Sequence, residues 1–251
     1  MRPSELDDLL AAVASGEVAP SDAAVRLASL PFLQLGFANV DTHRELRQGA
    51  PEVILGEGKT IEQVVAIALA LDEAGASSVL VTRASAEMRA AVREAISDAE
   101  EHELARAVWV RRAIPDPRGV VTIVSGGTSD GSVVHEARIR AELLGVTVVA
   151  HEDVGVAGLH RLENALPDIM RADCVVVVAG MDAALASVVG GLVRCPIVGV
   201  PTSVGYGSAH GGTTALNAML ASCVDGLAVV GIDDGLGAGT VSARIALRAA
   251  S

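Results

Sequence analysis

Residues 4–28 place apolar side chains at helical spacing: Leu6, Leu9, Leu10 and Val13, then Ala23, Ala24 and Leu27. Gly16 and Pro20 split the stretch into two short helices, and Ser21 ahead of Asp22 offers the second an N-cap. Past residue 30 the rhythm changes to short apolar runs separated by helical stretches. Leu35–Val40 and Val53–Leu55 read as strands, the latter ending in Gly56-Glu57-Gly58-Lys59-Thr60 and an Ala/Leu-rich helix to Glu73. After Gly75 come a strand at Val79–Val81, a helix over 85–103 and a strand at Ala107–Val110. This βαβαβ order predicts a parallel sheet.

Pro115-Asp116-Pro117 interrupts every pattern, because proline fixes the backbone and removes a donor. Beyond it the alternation restarts with stronger strands: Val120–Val124, Val146–Val149, Cys174–Ala179, Ile197–Val200 and Leu227–Ile232. Helices are predicted over 131–144, 157–170, 182–193 and 212–222. Continuous Val/Ile runs indicate strands covered on both faces. The expected fold is α/β, a doubly wound parallel sheet of about five strands with a smaller N-terminal α/β domain. The expected segments are a helical 1–34, a small α/β domain over 35–116 and a catalytic domain over 117–251.

Composition narrows the partners. The chain carries a formal charge of −12 and only 2% aromatic residues, so it lacks both the basic groove and the stacking platforms that single-stranded nucleic acid needs. The acidity also argues against an anionic membrane surface. No apolar run approaches the ~20 residues of a spanning helix, and Met1-Arg2-Pro3-Ser4-Glu5 opens no apolar leader segment. Cys174, Cys195 and Cys223 form neither an even disulfide set nor a CxxC pair. A cytoplasmic setting is expected.

Ligands of such sheets bind at the carboxyl ends of the strands. After the first strand of the second domain stands Ser125-Gly126-Gly127-Thr128-Ser129-Asp130, a glycine loop feeding a helix N-terminus that suits an anion. Ser129 or Asp130 could equally be a plain N-cap. Gly58-Lys59-Thr60 resembles the end of a Walker A loop, but Val53 occupies the earlier glycine position, so Lys59 is either a phosphate contact or a solvated lysine. Asp182, in Ala179-Gly180-Met181-Asp182, is a candidate base or a helix cap. The stretch from Pro201 through Thr202, Ser203, Tyr206, His210 and Gly211 to Gly212 is long, rich in glycine and hydroxyls, and holds the one tyrosine. Cys223 is a reactive thiol or a small core residue. Asp233-Asp234 is a cation site or an acidic turn, and the histidines show no zinc spacing. Arg44, Arg47 and Lys59 are candidates for anionic groups on charge alone.

The motifs at 125–130, 179–182 and Gly199-Val200-Pro201-Thr202-Ser203 resemble the aminoimidazole ribonucleotide carboxylase superfamily, whose first loop holds the nucleotide phosphate in a flavodoxin-like fold. The whole chain past residue 30 is closer to one branch, the synthases of pyridinium-3,5-biscarboxylic acid mononucleotide, which make the precursor of the nickel-pincer cofactor of lactate racemase. The segments that carry this are Asp41-Thr42-His43-Arg44 through Arg47, Gly49–Ile54, Gly56–Thr60, Asp153–Gly158 with His160-Arg161, the loop 202–212, and Cys223.

The resemblance implies that nicotinic acid adenine dinucleotide and bicarbonate or CO₂ give the biscarboxylated mononucleotide and AMP. An electron-poor pyridinium does not attack CO₂. A thiolate added beside the ring nitrogen makes an enamine-like carbon that does, and a base then removes the proton as the thiolate leaves. The resemblance puts the thiol at Cys223 and the base at Asp182, where the family usually has Glu, one methylene longer. It further implies Mg²⁺ at the phosphates, with Ser129, Asp130 and Lys59 nearby, and a large homo-oligomer, an octamer, with sites near subunit interfaces. Two other readings stand beside it. One is a purine-type imidazole ribonucleotide carboxylase or mutase using a histidine such as His151. The other is a nucleotide-binding regulatory module with an inert Cys223.

Overall fold

The structure, a computed structural model, describes residues 3–28 and 32–251, the side chains of Pro3 and Ala28 excepted. Residues 1–2 and 29–31 of the helical 1–34 segment lie outside the described residues. The chain divides into two units between Ile114 and Pro115.

The first unit begins with helices α1 (Pro3–Ser15) and α2 (Pro20–Ala28). The strand expected at Leu35–Val40 is a hairpin instead, β1 (Leu33–Gln34) against β2 (Asn39–Val40), with Gly36 turning at φ +80°. Within the charged stretch lies α3 (Arg44–Gln48), followed by β3 (Val53–Leu55), α4 (Ile61–Glu73), β4 (Ser78–Thr82), α5 (Ala86–Ala95), β5 (Glu100–His102) and β6 (Ala107–Arg111). The sheet order is β3-β4-β6-β5. Only β3 and β4 are parallel; β6 runs antiparallel to β4 and to β5. Two expectations fail here, the all-parallel sheet and the helix over 85–103.

Both failures share a cause. Helix α5 stops at Ala95, Ile96 turns extended, and β5 forms a hairpin with β6 through a tight turn in which the Arg106 N–H donates to the Glu103 carbonyl at 2.9 Å. So short a connection permits only antiparallel pairing. Glu100-Glu101-His102 carries no apolar run, so its strand depends on partners. The Trp109 indole donates to Glu100 at 3.1 Å, and Arg89 and Arg93 both bind Glu101.

The second unit contains β7 (Val120–Ser125), a 3-10 turn at Thr128–Asp130, α6 (Gly131–Leu143) and β8 (Thr147–His151). The helix expected over 157–170 is broken into a turn at Val156–Gly158, α7 (His160–Glu163) and α8 (Leu166–Arg171), with Pro167 in the first turn of α8. Then come β9 (Cys174–Ala179), α9 (Ala184–Gly190), β10 (Ile197–Pro201), a 3-10 segment at Gly207–Gly212, α10 (Thr213–Leu220), β11 (Leu227–Val229) and α11 (Gly235–Ala249). Helix α11 starts where an acidic, glycine-rich turn was expected. Two of its glycines face α6 at close range. A Cβ on Gly235 or Gly239 would sit 2.5 Å from the Val133 carbonyl or 2.4 Å from the Ala137 carbonyl.

All five strands are parallel, in the order β11-β10-β9-β7-β8. Every residue of β9 is buried. Its Val175, Val177 and Ala179 pack with Leu185, Ala186 and Val189 of α9, Ile169 of α8 and Met219 of α10. The chain passes from β7 to β8 on one side and then to β9 on the other. The carboxyl ends of β7 and β9 are therefore where the winding reverses and a crevice opens.

Candidate functional site

That crevice is a cavity of about 630 Å³, within the size range of small-molecule sites. Its wall is built by loops from four strands, with Gly126, Gly127, Ser129 and Asp130 after β7 and Gly155, Val156, Ala157 and Arg161 after β8. Gly180–Leu185 follow β9, and Val204, Tyr206, Ser208, Ala209 and Thr214 follow β10.

Glycine is required where these loops cross. A Cβ on Gly155 would lie 2.3 Å from the Gly126 carbonyl oxygen. One on Gly180 would lie 2.2 Å from the Val204 carbonyl oxygen and 2.8 Å from Thr202 Oγ1. The same rim holds four non-glycine residues in the left-handed region, Asp153, Met181, Ala183 and Asp233, at φ +51° to +57°. Strain of this kind gathers at binding sites.

Beneath the first loop the polar groups are paired. Asp130 is 4% exposed; it accepts from the Gly127 N–H at 3.0 Å and from the Thr202 hydroxyl at 2.8 Å. Burial pushes its carboxyl above the usual carboxylate range, nearby Asp233 adds to the rise, and the two hydrogen bonds oppose it. Asp130 thus acts mainly as the tie between the β7 and β10 loops. Because its folded-state pKa is raised, its stabilising contribution is fully present below the unfolded value near ~3.9 and is lost as pH rises through the folded value. In Asp130→Asn the amide NH₂ can still donate to the Thr202 oxygen while its carbonyl accepts from Gly127. Urea unfolding across pH is expected to show wild-type stability rising relative to this variant as pH falls from about 7 to about 4. A pH-independent difference would show that the carboxyl titrates normally.

The expected site residues of the second unit other than Cys223 fall into three groups. Gly126, Gly127, Ser129, Asp130, Gly180, Met181 and Asp182 line the cavity. Ser125 and Thr202 lie fully buried beside the wall, where Ser125 Oγ bridges the Gly127 carbonyl and the Asp153 N–H, both at 3.4 Å. Thr128, Ser203, His210 and Gly211 are exposed and outside the wall; the Ser203 N–H is bound by Asp233 at 2.8 Å.

Arg44 and Lys59 belong to the first unit. Arg44 donates to Gln48 at 3.4 Å, and Lys59 sits in a turn before Thr60, which caps α4 in a reciprocal pair with Gln63. Asp182 is exposed, one oxygen accepting from the Ala184 N–H at 3.2 Å. It is cap and wall residue together.

Cys223 is exposed and outside this wall. It stands in the link from α10 to β11, at the amino end of the strands, while the cavity lies at their carboxyl end. Cys174 is buried, its thiol pushed up to about 12 by burial, which suits a core side chain.

Arg161 and Tyr206 line the cavity; the sequence marked Tyr206 only as the tyrosine of the long loop and Arg161 only within a family-like segment, and gave neither a site role. Arg161, the one cation in the wall among the described residues, is held by Asp153 at 2.7 Å and the Gly155 carbonyl at 3.4 Å. Among the described residues no three His, Cys, Asp or Glu side chains gather as a metal site, and no helix is long and apolar enough to cross a membrane. Asp234, one half of the acidic pair, caps α11 by accepting from the Gly237 N–H at 2.7 Å.

Residues 120–250 match the AIR carboxylase family and residues 32–112 the LarB/PurE-like N-terminal domain. An uncharacterized protein of Methanocaldococcus jannaschii is 37% identical over 216 residues, which cover 82% of this chain and 83% of that one. Two Treponema denticola crystal structures are distantly similar. A single-substitution variant of PurE2 is 17% identical at TM-score 0.40 and PurE 16% at 0.37, each match covering 53% of this chain and 91% of the other. The chain belongs to the AIR carboxylase family, as a member that carries a LarB/PurE-like N-terminal domain.

Proposed function

We propose that this carboxylase-type enzyme carboxylates the pyridinium ring of nicotinic acid adenine dinucleotide. It also cleaves the phosphoanhydride with water, releasing AMP and pyridinium-3,5-biscarboxylic acid mononucleotide. The observation that carries the reading is the chemistry of the cavity wall. It offers a glycine loop and Arg161 for phosphate, Asp182 as a carboxylate base, and no histidine among its lining residues. The purine-type alternative needs a histidine to move its proton. His151 ends β8 with Nε2 at 2.9 Å from Asp168 and stands outside the wall.

In this reading the Cys223 thiolate adds to the ring carbon beside nitrogen, the resulting enamine carbon attacks CO₂, and Asp182 accepts the ring proton as the thiolate departs. Within one chain the thiol and the cavity stand at opposite ends of the sheet. For the thiolate to reach the ring in this reading, the thiol of one copy serves the cavity of another in a homo-oligomer. Magnesium enters with the substrate's phosphates. Asp130 has both oxygens engaged, and the wall offers only Asp182 as a further carboxylate, so the lining residues form no resident cage for the ion.

The test is incubation of the purified protein with nicotinic acid adenine dinucleotide, labelled bicarbonate and Mg²⁺, with an imidazole ribonucleotide in parallel. Label is expected in the pyridinium product, with one AMP released for each. Label entering the imidazole ribonucleotide instead would overturn the reading, and binding without turnover would favour the regulatory module.

A further inference from the structure

Tyr206 is the chain's one tyrosine and is 77% exposed, yet it forms part of the cavity wall. Met181 and Val204 stand in the same wall, each 38% exposed. The Met181 N–H donates to the Val204 carbonyl at 3.4 Å, which joins the β9 and β10 loops at this point. Three exposed side chains of this kind make an apolar shelf on this rim.

The shelf is held in place. Gly205 lies so close to the loop beyond it that a Cβ there would be 2.6 Å from the Ala209 carbonyl oxygen, and Gly207 takes φ +58°. The Ala209 N–H donates to the Tyr206 carbonyl at 3.1 Å, and the Thr214 hydroxyl binds the Ser208 carbonyl. A rigid backbone thus presents an aromatic ring that packs into no core.

Arg161, the one cation in the wall among the described residues, sits at Gly155, which packs on Gly126 beside the glycine loop; the Asp130 carboxylate there is already engaged by the Gly127 N–H and the Thr202 hydroxyl. Asp182 adjoins Met181 and so stands beside the shelf. An aromatic face is itself negative and attracts a cation lying over it. Resting on the function proposed above, we infer that Tyr206, with Met181 and Val204, receives the pyridinium ring and selects a positively charged ring over a neutral purine. The phosphate then falls toward Arg161, and the ring carbon that loses its proton lies toward Asp182.

Calorimetric titration of nicotinic acid mononucleotide, AMP and inorganic phosphate into the wild type, Tyr206→Ala and Tyr206→Phe tests this. Tyr206→Ala is expected to weaken the pyridinium nucleotide roughly tenfold and to leave AMP and phosphate within about twofold. Tyr206→Phe should retain the affinity, since the ring face and not the hydroxyl carries the contact. Equal losses for AMP, or no loss for any probe, would overturn the inference. A wild-type protein that binds AMP but no pyridinium nucleotide would overturn the proposed function and the shelf with it, an outcome distinct from failure of the shelf alone. Because Tyr206 is exposed, both variants are expected to fold, and thermal melts check it.

Discussion

Cys223→Ala is expected to abolish carboxylation, with a loss of at least about a thousandfold, equivalent to about 4 kcal/mol of transition-state stabilisation, while AMP affinity and Tm stay unchanged. The chemistry sets the size of the loss. Without an adduct the ring offers no nucleophilic carbon, so the reaction loses its route and is not merely slowed. The structure sets the specificity. Cys223 is exposed, and its neighbour Ser222 holds the link through Ser187 at 2.8 Å, so removing the thiol leaves no buried void.

Position adds a second measurement. Helix α10 descends eight residues from Thr213 beside the cavity, about 12 Å at 1.5 Å per residue, and Cys223 lies beyond its end. Co-expression of Cys223→Ala with Asp182→Asn, each inactive alone, should restore activity to about one quarter of wild type, the share of sites that pair an intact thiol with an intact carboxylate. An inactive mixture of folded, mixed oligomers would refute the shared site.

Gly180→Ala should be among the most damaging single methyls in the second unit. The added carbon meets the Val204 carbonyl oxygen at 2.2 Å and Thr202 Oγ1 at 2.8 Å, and neither neighbour is the free end of a flexible side chain. Relief requires parting the β9 and β10 loops, which also breaks the Met181 to Val204 hydrogen bond and disturbs the hydroxyl that ties down Asp130. A cost of about 3 kcal/mol is expected, a fall in Tm of roughly 6–12 °C for a chain of this size. Calorimetry reads it directly. AMP affinity should fall with it, because the same shift deforms the wall. Gly211→Ala makes the contrast: φ is +77° there but nothing lies within 4 Å, so only the smaller backbone strain applies.

The second unit was legible because its central strands β7, β9 and β10 are buried on both faces and so read as near-continuous apolar runs. Val175 to Val178 could be little else. The first unit was less so. Glu100-Glu101-His102 pairs through backbone, ion pairs and the face of Trp109, none of which leaves an apolar signature. Helix α11 was hidden by Gly235, Gly237 and Gly239, poor helix formers; Gly235 and Gly239 make sense only against the close surface of α6, and Gly237 against the capping side chain of Asp234. Within the site, the glycine loop and Asp182 declared themselves by following strands. Arg161 did not, since a broken helix rather than a strand end brings it to the wall. The remoteness of Cys223 was within reach of topology alone: a residue between a helix and the next parallel strand belongs to the amino edge of the sheet.

Asp153, Met181, Ala183 and Asp233 each hold a left-handed backbone with a side chain in place, at about 1–2 kcal/mol apiece. Glycine would adopt those angles without strain. Arg83 and Arg106 of the first unit share such angles, but within the second unit any effort to raise thermal tolerance by relaxing unfavourable backbone angles would converge on the mouth of the cavity. At Met181 and Ala183 it would exchange a fixed loop for a slack one. Heat resistance and turnover would then trade against each other at these positions, and stabilising changes are better sought in the first unit or along the helices that cover the sheet.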